Sequence, residues 1–119
     1  MVLCYPVITL LDPYLHRGSR DNLLGVDAPE ELANSLSAEL NVTERTPPVF
    51  IWHTSDDEGV PVENSLLFAG ALSRCKVPFD LHCYENGRHG IGLAEEHPEA
   101  HTWTQLCELW LKKRGFTPA

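Results

Sequence analysis

Val49-Phe50-Ile51-Trp52-His53-Thr54-Ser55-Asp56-Asp57-Glu58-Gly59-Val60-Pro61 and, further on, Phe79-Asp80-Leu81-His82-Cys83-Tyr84-Glu85-Asn86-Gly87-Arg88-His89-Gly90 decide the fold. Each stretch opens as a short run of β-branched and aromatic residues and runs into a polar loop containing glycine. That is the composition of a strand followed by the turn beyond its carboxyl end. Val49 to His53 reads as a strand buried on both faces, while Phe79 to Tyr84 alternates and sets Phe79, Leu81 and Cys83 on its better buried face. Between them, Val62 to Cys75 places Leu67, Phe68, Ala71, Leu72 and Cys75 on one side, which predicts a helix. Arg74 and Lys76 near its end complement the helix dipole, and Pro78 stops it.

Upstream, Met1 to Ile8 is an apolar run broken only by Pro6, and predicts a further strand buried on both faces of a parallel sheet. Asp12 to Gly25 reads as a loop with one helical turn, capped by Ser19 and ended by Gly25. Pro29 at a first helical position, with Glu30 and Glu31 behind it, starts a short helix to about Leu36. Thr46-Pro47-Pro48 ends helix formation before the next strand. Downstream, Trp103, Leu106, Cys107 and Trp110 form an i, i+3, i+4, i+7 stripe, with Lys112, Lys113 and Arg114 in the last turn and Gly115 as cap. Strand and helix alternate three times. This predicts the α/β class: about three parallel strands flanked by helices in a three-layer α/β/α arrangement, one domain over residues 1–119.

The chain has 119 residues, 43% of them hydrophobic and 22% charged, as in globular rather than disordered proteins. Its net charge of −8 argues against nucleic acid or an anionic membrane as partner, because both require a basic surface. No apolar run approaches the roughly 18 residues of a membrane span. Cys4, Cys75, Cys83 and Cys107 are widely spaced within apolar stretches, without a Cys-x-x-Cys pair, and read as buried, reduced thiols. With no leader before the first strand, a cytoplasmic setting is expected.

Functional residues of open α/β sheets gather just beyond the carboxyl ends of the strands. Asp57 lies just past the first quoted strand and His89 just past the second, and adjacent parallel strands would bring these loops to one edge. An aspartate there can accept the Nδ1 proton of the histidine, fix its tautomer and stabilise the imidazolium. Gly87 and Gly90 would let the loop bend so that the ring points back over the sheet.

The Trp52-to-Val62 stretch resembles the acid loop of α/β-hydrolases, a strand ending in His followed by Asp and then Val-Pro. Asn86-Gly87-Arg88-His89-Gly90 resembles that fold's histidine loop. Cys4-Tyr5-Pro6-Val7-Ile8 and His16-Arg17-Gly18-Ser19 are similar to the acetyl-esterase, xylan-esterase-like and dienelactone-hydrolase-like branch. The resemblance covers essentially the whole chain and maps it onto the last three strands of the fold, its C-terminal portion. Family spacing selects Asp57 over Asp56, which reads as a solvent-facing turn residue; Thr54 stands where the family usually has glycine. The resemblance implies a small-ester carboxylesterase in which Asp57 orients His89, with neither cofactor nor metal.

The nucleophile elbow of that family, Gly-x-Ser-x-Gly, occurs nowhere in the 119 residues. Ser19, Ser35, Ser37, Ser55, Ser65 and Ser73 lack its context, so none is assigned as nucleophile. His97 and His101 have i, i+4 spacing, but without the Glu placement of His-Glu-x-x-His or a third ligand they read as surface residues. His53 reads as a strand-end residue serving packing and loop hydrogen bonds, and His16 and His82 carry no context. Two other readings stay open: a truncated fragment that does not turn over, and a binding or assembly module. Both draw on the same feature, the Met1–Ile8 strand, whose free edge would pair with a second copy or another protein.

Overall fold

The computed structural model describes residues 1–118. Three strands, β1 (Val2–Cys4), β2 (Val49–Thr54) and β3 (Phe79–Tyr84), form one sheet in the order β1-β2-β3, with both pairings parallel. Among the described residues five helices accompany them: α1 (Arg17–Leu24), α2 (Glu30–Leu36), α3 (Glu63–Arg74), α4 (Pro98–His101) and α5 (Trp103–Lys113). A single 3₁₀ turn, Ala38–Leu40, follows α2.

All six residues of β2 are buried, and their alternation builds the layers. Val49 and Ile51 point to one face, where Phe68 and Leu72 of α3 pack with Ile8 and Val77. Phe50 and Trp52 point to the other, against Cys107 and Trp110 of α5 and Ala100 of α4. Burial of each large side chain of this set contributes about 1.5–3 kcal/mol, and the two clusters clamp the sheet between helices. Trp103 stacks on Trp52, with centroids 5.1 Å apart and planes 15° apart. The three-layer α/β class read from the sequence is the observed one. No helix among the described residues is long and apolar enough to cross a membrane.

Several local expectations are corrected. The first strand covers only Val2–Cys4 rather than Met1 to Ile8, and it is not buried on both faces: Met1 and Val2 are exposed. The ladder stops because Tyr5 turns into the left-handed region at φ +38° and Pro6 has no N–H to donate. Beyond that point side chains replace the missing strand partner. Ile8 and Thr9 donate their backbone N–H groups to Asn64 Oδ1 at 2.9 and 3.0 Å, and Leu10 donates to Ser37 Oγ at 3.0 Å. Asn64 Nδ2 in turn donates to the Tyr14 and Pro61 carbonyls.

The single helical turn expected after Asp12 is a helix of eight residues, and its cap is His16, not Ser19. The Nδ1 acceptor of His16 takes the Ser19 N–H at 3.2 Å, the task an N-cap oxygen usually performs. On α3, Leu67 is exposed, and the buried face is instead Asn64, Ser65, Phe68, Ala69, Ala71 and Leu72. The apolar stripe had excluded two polar residues whose hydrogen bonds let them sit inside. The cysteines also divide: Cys107 is buried, Cys4 and Cys75 half-buried, and Cys83 exposed. Phe79 and Leu81 reach the α3 cluster, whereas Cys83, on the outer strand, lies outside it.

Asn64→Leu would leave the Ile8 and Thr9 N–H groups without their acceptor in a dry setting. Each buried group left unpaired costs about 1–3 kcal/mol, so a loss of about 2–4 kcal/mol is expected in urea unfolding. Leu67→Ala, on the exposed face of the same helix, is expected to change stability by no more than about 0.5 kcal/mol.

Candidate active site

The registers His53↔Cys83 and Thr54↔Tyr84 end β2 and β3 level with each other, so their loops leave the same edge of the sheet. The loops are then tied together. Ser55 donates its backbone N–H to the Tyr84 carbonyl at 2.8 Å, and Gly87 N–H donates to Asp56 Oδ2 at 3.0 Å. Asp56 is exposed, as a turn residue should be, but its carboxylate latches the histidine loop, a role its solvent-facing reading had missed. Gly87 is required for closeness: a Cβ there would lie 2.7 Å from Thr54 Cγ2. Gly90 takes φ +78°, which only glycine adopts without strain.

The structure brings Asp57 and His89 side by side. His89 Nδ1 lies 2.8 Å from Asp57 Oδ2. Asp57 Oδ1 accepts the backbone N–H groups of Gly59 and Val60, both at 2.9 Å. Its side chain is fully buried, while that of His89 is 39% exposed. Burial alone would raise the Asp57 pKa, but the Val60 N–H, the His89 ring and the Gly59 N–H outweigh it and hold the carboxyl below its ordinary value. An ionised Asp57 can only accept, so His89 carries a proton on Nδ1, and in the neutral ring Nε2 is the free acceptor. That is the tautomer of a general base.

Two further residues adjoin this pair; the sequence reading missed the first and gave the second, His53, a packing and loop hydrogen-bonding role that its bond to the Val60 carbonyl fits. Tyr5, directly after β1, sets its ring edge-on to His89 at 4.8 Å and to Trp52 at 5.0 Å. Its hydroxyl accepts the Gly92 N–H at 3.1 Å and so ties down the far side of the histidine loop. A residue between a strand end and a proline, at the functional edge of a sheet, was the available signal. His53 is the second: its side chain is completely buried and its Nε2 is 3.3 Å from Asp57 Oδ2.

Of the two histidines at i, i+4 spacing, His101 Nδ1 donates to the Leu93 carbonyl at 2.8 Å, and His97 precedes α4 without a side-chain cap bond. No group of three or more His, Cys, Asp or Glu among the described residues could hold a metal ion. A cleft of about 360 Å³ opens beside the second half of the histidine loop, lined by Arg88, Ile91, Leu93 and Glu95 among others. Neither Asp57 nor His89 lines it, so the cleft neighbours the pair rather than enclosing it.

A parallel sheet covered by helices on both faces, with its polar loops gathered at the carboxyl edge, is an open α/β architecture with its functional edge beyond the strand ends. Residues 12–114 match the prolyl oligopeptidase family, and the chain belongs to it. Its structure superimposes at a TM-score of 0.95 on the acetyl ester-xyloside bifunctional hydrolase of Caldicellulosiruptor lactoaceticus, 51% identical, covering 98% of this chain and 43% of that one. Among curated proteins it is 44% identical over 96 residues to endo-1,4-beta-xylanase B of Butyrivibrio fibrisolvens, covering 81% of this chain and 15% of that protein. It is 29% identical over 118 residues to the acetylxylan esterase of Xylanibacter ruminicola, covering 96% of this chain and 23% of that protein. The chain therefore spans less than half the length of each of these relatives.

A carboxyl with a depressed folded pKa contributes stability that is complete above its unfolded value, about 3.9, and lost as pH falls through the folded one. The stability difference between the parent and Asp57→Asn, measured by urea unfolding from neutral pH downward, is therefore expected to stay constant to about pH 4 and then shrink. A difference independent of pH would mean that Asp57 is not held ionised by its neighbours.

Proposed function

We propose that this chain carries the acid and the base of a serine ester hydrolase acting on small acyl esters, with acetylated sugar esters as the favoured class. The observation that carries the reading is the His89 Nδ1 to Asp57 Oδ2 contact of 2.8 Å, with the His89 side chain 39% exposed. In this reading His89 Nε2 takes the proton of a serine hydroxyl as that oxygen attacks the ester carbonyl. Asp57 steadies the imidazolium so formed, and the proton is then delivered to the departing alkoxide. Water repeats the cycle on the acyl-enzyme and releases the carboxylate. The serine and the oxyanion donors would come from polypeptide outside these 119 residues, since no Gly-x-Ser-x-Gly is found within them. The ester class is supported by the likeness to proteins named as acetylxylan esterase and acetyl ester-xyloside hydrolase. Four unpaired cysteines agree with a reducing, cytoplasmic setting.

The test is a chimera in which residues 1–119 replace the matching segment of the Caldicellulosiruptor enzyme. Hydrolysis of p-nitrophenyl acetate is expected from the chimera and only background from the chain alone. His89→Ala in the chimera is expected to lower kcat by about 10²–10⁴-fold, the usual share of general acid–base catalysis. An active chimera indifferent to His89→Ala would refute the assignment.

A second reading, assembly, is favoured by one feature. β1 pairs with β2 on one side only among the described residues, and Met1 and Val2 are exposed beside that free edge. Such an edge is a template for a further strand. We propose that two copies pair there antiparallel about a two-fold axis. Light scattering at micromolar concentration is expected to give a dimer; a clean monomer would remove this proposal.

A further inference from the structure

Behind the Asp57–His89 pair lies a second, wholly interior histidine. His53 is the fifth residue of β2 and has no exposed surface. The strand's alternation directs it to the α3 face, where Ser65 Oγ lies 2.7 Å from Nδ1. On its other side Nε2 lies 2.9 Å from the Val60 carbonyl and 3.3 Å from Asp57 Oδ2.

These partners leave one protonation pattern. A backbone carbonyl only accepts, and an ionised carboxylate only accepts, so the proton sits on Nε2. Nδ1 is then an acceptor, and the Ser65 hydroxyl donates to it. Burial lowers the His53 pKa and outweighs the opposing pull of the Val60 carbonyl and Asp57, so the ring stays neutral. The Val60 peptide is gripped at both ends as a result. Its N–H holds Asp57 Oδ1, and its carbonyl is held by His53.

We infer that His53, locked as its Nε2–H tautomer by the Val60 carbonyl, is a positioning residue that fixes the Asp57 carboxylate and through it the tautomer of His89. The inference deepens the hydrolase reading and rests on it for its catalytic meaning. The chain is Ser65 Oγ–H to His53 Nδ1, His53 Nε2–H to the Val60 carbonyl with its edge on Asp57 Oδ2, and Asp57 Oδ2 to His89 Nδ1–H. Every member but His89 is buried, so no water competes for these groups, and removal of one donor frees the next carboxylate oxygen to rotate.

The test uses the 119-residue chain. Long-range ¹H–¹⁵N spectra of the imidazoles, taken at a pH where His89 is neutral, report which ring nitrogen carries the proton. In the parent His89 is expected as a single Nδ1–H form and His53 as Nε2–H. His53→Gln places an amide N–H where Nε2–H was, whereas His53→Asn keeps an acceptor for Ser65 and cannot reach the Val60 carbonyl. Retention of the His89 pattern is expected in His53→Gln, and its loss to a mixture of tautomers in His53→Asn. Both variants carry the same buried amide. Equal behaviour in the two, whether both keep the pattern, both lose it or both fail to fold, would overturn the proposal. In the active chimera His53→Asn is expected to lower kcat with KM unchanged, and His53→Gln to restore it. Failure of the chimera to hydrolyse esters would end the hydrolase reading and leave the spectral comparison standing. A hydrolysing chimera with equal His89 spectra in both variants would end the positioning role alone.

Discussion

Everything in this chain hangs on the complete burial of β2. A strand covered on both faces must satisfy its backbone through its neighbours and its side chains through two helix layers, and β2 does both. Its alternation assigns α3 to one face and α5 to the other. The same alternation, carried to the strand's end, directs His53 inward and releases the polar loop at the sheet edge. Packing and site are thus two outcomes of one register. Slipping that register by one residue would exchange the two apolar clusters and turn His53 toward α5.

The class of fold was legible because strong, short-range signals agreed: three apolar strand runs, helical stripes between them, and prolines at the boundaries. Asp57 and His89 were legible because each followed a strand end in a parallel sheet. The illegible parts share a physical cause. The inward turn of Asn64 and Ser65 and the cap by His16 depend on hydrogen bonds made by polar side chains, and β1 ends on a left-handed turn at Tyr5. Hydrophobic periodicity cannot register such bonds, since it scores a buried asparagine as a surface residue. Leu67 was misplaced for the same reason. Once Asn64 and Ser65 occupy the inner face of α3, the helix is rotated and Leu67 faces solvent.

Around Asp57 both carboxylate oxygens are held by hydrogen-bond donors. Two backbone donors meet one carboxylate oxygen, and two histidine nitrogens meet the other at 2.8 and 3.3 Å. The two histidines are chemically unlike despite sharing this oxygen. One is neutral and wholly buried between a donor and two acceptors; the other is partly exposed.

The tether between Tyr5 and Gly92 spans 87 positions of the chain. Contacts of such separation are costly in loop-closure entropy and form late, after local helices and the β2–β3 unit have condensed. The histidine loop therefore acquires its final shape only when Tyr5 and Gly92, 87 positions apart, have met. Its geometry is a report on completed folding, and local openings that release the first strand would loosen His89 well before the sheet itself came apart.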